Sequence, residues 1–356
     1  MSLPFSGLTK AITSTVDYAY PNTRVKAWKG MMLGEEDMRA LSSAKHLEEF
    51  VGLLEQQPQY KKEISKISQM SIYSVENLLL MNSIGKTRLA SDIAPKDTKC
   101  FFAALAAYYE VELIKLALNK FDEQPGKKIE FDSSIYSPIL GSDVKQFIKT
   151  VAEAKGKEEA VNMLKETRYD FIAEMPAEEQ KTPGYIASAL DRYYYTNLWN
   201  STSCLSGKDR LHAQQLVGRE IEYANLILVL RGSIQGFKVE KFLVHIDYGL
   251  NKRIVALAGK DIQEIISSLS DTKYKALIEE GMKNYEKDKS LFRLEMDLKK
   301  KMLEEYRNVF KGSRPDIGVL LGFLKLKEYE VRNTRAIAVA IDNGASQKDI
   351  MELVVL

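Results

Sequence analysis

The stretch GREIEYANLILVL, residues 218–230, decides how this chain is read. Apolar residues dominate it at helical spacing, yet Glu222 and Asn225 stand three apart and therefore share one face. An apolar helix keeps a carboxylate and an amide on one side only if something meets them there. Two other stretches look related to it: YYEVELIKLALNKF at 108–121 and LKEYEVRNTRAIAV at 326–339.

A second marker recurs as often. LEEFVGLL (47–54), KEEAVNML (157–164) and IQEIISSL (262–269) align on Glu49, Glu159 and Glu264, and end on Leu54, Leu164 and Leu269. Tyr60, Tyr169 and Tyr274 follow five or six residues later. The glutamates of this marker lie 110 and 105 residues apart. In the first marker Glu112, Glu222 and Glu330 align, with Lys115, Asn225 and Asn333 three residues on, at intervals of 110 and 108. Either marker alone is weak, because Leu and Glu are common. Two markers in constant order at near-constant spacing indicate a threefold internal repeat. Its boundaries fall near Pro125-Gly126 and near Gly236, which gives units 1–126, 127–237 and 238–356. Each is the size of a small helical domain. Three such units close around an approximate threefold axis or stack as a short solenoid.

Between the markers, apolar residues recur at three and four, as in ALIEEGMKNYEK (276–287) and LFRLEMDLKKKMLEEYRNVF (291–310). Alternating patterns are scarce. KVEKFLVHIDY (238–248) is the best strand candidate and is a poor one. The chain reads as all-α. Its 45% hydrophobic content supports a packed core. With 51 basic against 49 acidic residues, it carries no electrostatic footprint for nucleic acid. The windows CFFAALAAYYEVELIKLAL and NLILVLRGSIQGF fall short of the ~20 uninterrupted apolar residues of a membrane span. The N-terminal segment lacks the pattern of a signal peptide. Two cysteines, Cys100 and Cys204, are too few for a disulfide framework, so a reducing, cytoplasmic setting is expected.

Catalytic and cofactor signatures are missing. SIGKTR (83–88) has the GK[ST] end of a phosphate loop, but Leu80 stands where its first glycine belongs, so Gly85 is expected to cap a helix end. His46, His212 and His245 show no metal spacing. Asp247 and Asp316, in HIDYG and RPDIG, read as turn or cap residues. The run RYYYTNLWN (192–200) has no basic groove around it and reads as helix packing. No catalytic, cofactor or metal residue is assigned.

Three stretches carry a resemblance. YAYPNTRVKAWKGMML (18–33), GREIEYANLILVLR (218–231) and LGFLKLKEYEVRNTRAIAVAIDNG (321–344) are similar to the opening, central and C-terminal helices of the family formed by the C subunits of A-type ATP synthases. The eukaryotic counterpart of that family is the d subunit of the V-type proton ATPase. The resemblance runs from about residue 10 to the end and is poor over 120–150. Lys115 replaces asparagine in the first copy, and Thr334 replaces leucine in the third.

The resemblance implies three similar helical-bundle domains in a pseudo-threefold funnel. It implies a non-catalytic rotor subunit of the central stalk, peripheral on the cytoplasmic face of the membrane, that transmits torque for ATP-coupled proton or sodium transport. Its implied partners are central shaft subunits of the D/F type, the proteolipid rotor ring and other subunits of the complex. Membrane contact would come only through the ring, and neither cofactor nor nucleic acid is implied. The alternative is a helical-repeat adaptor for another protein. Glu112, Glu222, Asn225, Glu330 and Asn333 are expected to latch helices together, because an unpaired buried carboxylate costs several kcal/mol. Arg24 and Trp28, and the tyrosines 193–195, are the residue types that favour interfaces, with packing inside their own unit as the simpler reading.

Overall fold

The computed structural model describes residues 5–65, 67, 70–123, 141–151, 153–182, 184–312 and 316–356. The expected boundary at Pro125-Gly126 lies outside them. Helices make up most of the described chain, and no strand occurs among the described residues. Residues 238–248, the strand candidate, form a short 3-10 turn followed by extended chain.

Eight described helices reach fourteen residues or more: α1 (Phe5–Lys29), α2 (Ile72–Ile93), α3 (Lys99–Glu123), α4 (Tyr185–Ser201), α5 (Gly207–Gln235), α6 (Lys275–Asp288), α7 (Phe292–Asn308) and α8 (Ile317–Asp342). They belong to two compact units, each assembled from separated segments. The first comprises residues 1–97, 206–220 and 263–356; the second comprises 98–205 and 221–262.

In the first unit α8 is the central element. Every residue from Ile317 to Glu330 is buried: the run 317–324 is apolar or glycine on all sides, and the charged residues that follow it are buried as well. α1, α2 and α7 pack against it, as does the short helix Glu35–Ser42. Asp316 caps it: its side chain accepts from the Gly318 amide at 2.7 Å. Phe50, Leu54, Tyr60, Val75 and Leu79 fill the core against Ile337 and Ala338.

In the second unit α3 and α4 form the main pair. The helices Ser142–Val151 and Lys157–Met163 cover α3. α5 ends on Gly236, whose φ of +74° is the left-handed conformation that favours glycine after a helix.

The second recurring marker forms a helix each time: Leu47–Glu55, Lys157–Met163 and Ile262–Ser268. Its glutamate has a capping role in the first two copies. Glu49 accepts from the Lys45 amide at 2.8 Å and Glu159 from the Lys155 amide at 2.7 Å, four residues back in both. Leu54, Leu164 and Leu269 are fully buried, and so are Tyr60 and Tyr169.

Two expectations need correction. Gly85 does not end a helix: it sits inside α2, where a Cβ would meet nothing within 4 Å. The helical pattern on both sides outweighs the single glycine. Cys100 and Cys204, 104 residues apart, form a disulfide in the second unit. A single bridge needs no framework of cysteines, and a separation that long leaves no local signature.

Candidate functional site: buried carboxylate and amide clasps

Asn225 on α5 and Asn333 on α8 explain their own presence. Asn225 donates from Nδ2 to the Val244 carbonyl at 2.8 Å and accepts the Val244 amide on Oδ1 at 3.0 Å. Asn333 does the same to Val355, at 2.7 and 3.0 Å. In each case an extended segment lies against an apolar helix, and its buried backbone groups need partners that the helix backbone does not offer. A side-chain amide has one donor face and one acceptor face, so it substitutes for a neighbouring strand. Asn251 extends the first clasp, donating to the carbonyls of Val244 and Ile246.

The glutamates clasp other groups. Glu330 is 3% exposed. It accepts from the Tyr60 hydroxyl at 2.5 Å, the Leu33 backbone amide at 2.7 Å and the Gln59 side-chain Nε2 at 3.3 Å. The Lys327 ammonium sits 2.5 Å from it, with a side chain only 1% exposed. One carboxylate therefore joins α8 to the loop before the helix Glu35–Ser42 and to the start of the helix Lys61–Ile64. Burial, and then the Glu330 charge, push the Tyr60 hydroxyl well above its usual range, so it stays a donor. Burial also pulls Lys327 below the usual lysine range, against the opposing pull of Glu330.

In the second unit the equivalent carboxylate is Glu110. It accepts from the Tyr169 hydroxyl at 2.9 Å and the Gly141 amide at 2.7 Å, with the Arg168 guanidinium 3.7 Å away. The spacing points instead to Glu112. That residue pairs with Lys115 at 2.9 Å on a half-buried face, where Lys115 also binds Asp191 at 2.5 Å. The helix pattern contains the correct register. Counting from Glu110, the buried residues Leu113, Ile114, Ala117, Leu118 and Phe121 follow at three, four, seven, eight and eleven. Counting from Glu112, the third residue on is Lys115. Leu113 therefore takes the asparagine position, and this copy lacks the amide clasp.

Glu222 is fully buried on α5, with Gly249 set directly against it. A Cβ at Gly249 would lie 2.4 Å from its Oε2, and the φ of +49° there also favours glycine.

A further constellation appears in the first unit and has no counterpart in the sequence reading. Lys325, 1% exposed, bridges Glu220 and Glu328 at 3.1 Å each, and the Tyr306 hydroxyl donates to Glu220 at 2.8 Å. Burial raises Glu328 to about 7 despite the attraction of Lys325.

Trp28 is 7% exposed and packs 5.8 Å from Phe323. Arg24 and Lys86 both lie over its ring, at 5.5 and 5.2 Å. The tyrosines of RYYYTNLWN are packed inside the second unit: Tyr193 stacks on Phe171 at 5.1 Å, and Tyr194 is 2% exposed. These are braces between helices, with no nucleophile and base set together among them. No described helix is long and apolar enough to cross a membrane.

Curated relatives share nearly the full extent of this chain. It is 28% identical to the C subunit of the A-type ATP synthase of Methanocaldococcus jannaschii, over 98% of this chain and 88% of that protein. It is 27% identical to the C subunit of the A-type ATP synthase of Thermococcus onnurineus, over 95% and 90%. The corresponding protein of a Desulfurococcus species is also 27% identical, over 94% and 90%. The model of the ATP synthase (C/AC39) subunit family matches residues 21–353, which span all the clasps except Val355, the partner of Asn333. The chain belongs to the ATP synthase (C/AC39) subunit family.

Proposed function

We propose that the chain is the non-catalytic central-stalk subunit of a rotary A/V-type ATPase. It sits between central shaft subunits of the D/F type and the proteolipid ring, on the cytoplasmic face of the membrane. There it turns with the rotor and passes torque during ATP-coupled proton or sodium transport. The observation that carries this reading is the family match over residues 21–353.

The clasps support it physically. A torque-bearing spacer needs resistance to shear between helices. Buried charged hydrogen bonds resist sliding, because any shift leaves a carboxylate unpaired in a dry interior. The same clasps favour three repeated units closing around an axis. The Glu110 helix of the first copy is completed by Tyr169 of the second. The Glu330 helix of the third copy is completed by Tyr60 of the first, so the two ends of the repeat meet. In this reading Glu222, Asn225, Glu330 and Asn333 hold the fold, and the surfaces that touch shaft and ring lie elsewhere.

The test is co-purification of the tagged full chain from detergent-solubilised membranes. Recovery of ring and shaft subunits at one copy of the chain per shaft is expected. Recovery with stator components instead, or with neither, would reject the placement.

A further inference from the structure

We propose that Cys100 and Cys204 form a reversible thiol–disulfide exchange site. It reacts with low-molecular-weight thiols and disulfides and braces one end of the α3–α4 pair. The inference stands on the second unit alone and does not depend on the placement proposed above.

These are the only cysteines in the chain, and they are bonded to each other. Cys100 lies in the first turn of α3, and Cys204 ends the 3-10 turn Thr202–Cys204 that follows α4. Both residues are exposed, so small reagents reach the sulfurs from solvent. Their backbones, by contrast, are anchored. Phe101 is fully buried, Phe102 is 1% exposed, Thr202 2% and Leu205 5%. Further along the pair, Lys115–Asp191 and Tyr108–Tyr194 tie the same two helices. The Cα atoms are thus held 6.5 Å apart, within the usual span of a disulfide, by a frame that does not need the bond. A preset pair closes readily, and an exposed pair opens readily. Disulfides of this kind are the labile ones.

The helix ends give the exchange a direction. Cys100 lies in the first turn of α3, at its positive end, whereas Cys204 lies just beyond the C-terminus of α4, its negative end. Negative charge is better accommodated on Cys100. An incoming thiolate attacks the Cys204 sulfur, and the S–S electron pair leaves on Cys100. A second thiol then attacks the mixed disulfide, releases the Cys204 thiolate and departs as the small disulfide. The balance is one protein disulfide and two thiols giving two protein thiols and one small disulfide. Closing runs the same steps backwards, with Cys100 attacking a mixed disulfide on Cys204.

The full chain would be equilibrated in mixtures of reduced and oxidised glutathione. Free thiols would then be capped with an alkylating reagent and the intact mass measured. Complete conversion in both directions is expected, with the midpoint inside the glutathione range. Thermal melts of the oxidised chain should lie ~5 °C above those of the reduced chain. Cys204→Ser should melt alike in both buffers. Thiols that persist under excess oxidised glutathione would overturn the proposal. So would a bond that survives a large excess of reduced glutathione, or wild-type melts that ignore the buffer.

Discussion

Glu330 and Glu110 make the same clasp in different surroundings. Each accepts from a tyrosine hydroxyl, at 2.5 and 2.9 Å, and from a backbone amide at 2.7 Å. They differ in the cation. Lys327 beside Glu330 has a side chain 1% exposed. Arg168 beside Glu110 is 42% exposed and has a second carboxylate, Asp143, at 3.1 Å. That second partnership is firm, since the Arg168 hydrogen bonds hold Asp143 down at about 2. The geometry of the clasp is therefore independent of how its charge is balanced. The first unit has an obligatory ion pair in a dry interior, whereas the second has a carboxylate whose cation is satisfied without it.

The comparison is broken most severely at Glu330. Glu330→Ala removes the carboxylate that pairs with Lys327 and leaves a buried ammonium uncompensated, which costs about 3–5 kcal/mol. Urea unfolding should show the loss as a lower midpoint. The double variant Glu330→Leu with Lys327→Met should recover much of it, because an apolar pair has no charge to desolvate. If the double variant is as unstable as the single one, the cost lies in the tyrosine and amide bonds and the asymmetry with Glu110 disappears.

The second effect belongs to the other buried cluster on α8. Glu328 faces Lys325, Glu220, Arg332, Tyr329 and, through Glu220 and Lys325, Tyr306. Its carboxyl is raised to about 7 from 4.5, with burial the largest cause. A raised carboxyl means that the folded state holds the proton more tightly than the unfolded chain. The contribution of Glu328 to stability is then greatest below pH 4.5, falls as pH rises towards 7 and levels off above it. The loss across that window is at most about 3 kcal/mol. Glu328→Gln should flatten this decline when unfolding is measured from about pH 4.5 to 8. An unchanged slope would assign the pH dependence to other groups.

Glu110→Ala should cost less than Glu330→Ala, about 2 kcal/mol, because it strands the Tyr169 hydroxyl and the Gly141 amide but no buried cation. Arg168 keeps Asp143. Equal losses for the two alanine variants would mean that the exposed guanidinium matters as much as the buried ammonium. That result would contradict the account of the difference.

Sequence alone shows that these helices carry polar residues on apolar faces, but not what meets them there. Helical spacing makes the chain all-α, and the recurrence of glutamate, leucine and tyrosine is the ground for expecting a repeat. It also picks out Glu222, Asn225, Glu330 and Asn333, all of which are buried. It places the first copy two residues late because EVE offers two glutamates, and matching the intervals favours Glu112 over Glu110. The apolar stripe after Glu110 is the signal that corrects this. Pairing is beyond reach. Tyr60 and Glu330 are 270 residues apart, and nothing local reveals that the start of the chain closes on its last long helix. Lys325 and Lys327 look like surface residues in any hydropathy profile, and only packing shows that they are buried. The disulfide is illegible for the same reason, as a contact across 104 residues.

The smallest expected effect sharpens the comparison from outside the clasps. Gly85 lies within α2, which packs along α8 in the first unit, and a Cβ there meets nothing within 4 Å. Its backbone is helical, so alanine fits without strain and removes freedom from the unfolded chain alone. Gly85→Ala should therefore stabilise the first unit by about 0.5–1 kcal/mol. The same change made in Glu330→Ala should add its increment unaltered if the clasp and α2 are energetically separate. Combined with Glu110→Ala, it should likewise add its increment in full. A gain that shrinks in the Glu330 background would mean that α2 is already loosened when the buried ion pair is lost. The clasp would then organise the helices around α8 as well as the groups it touches.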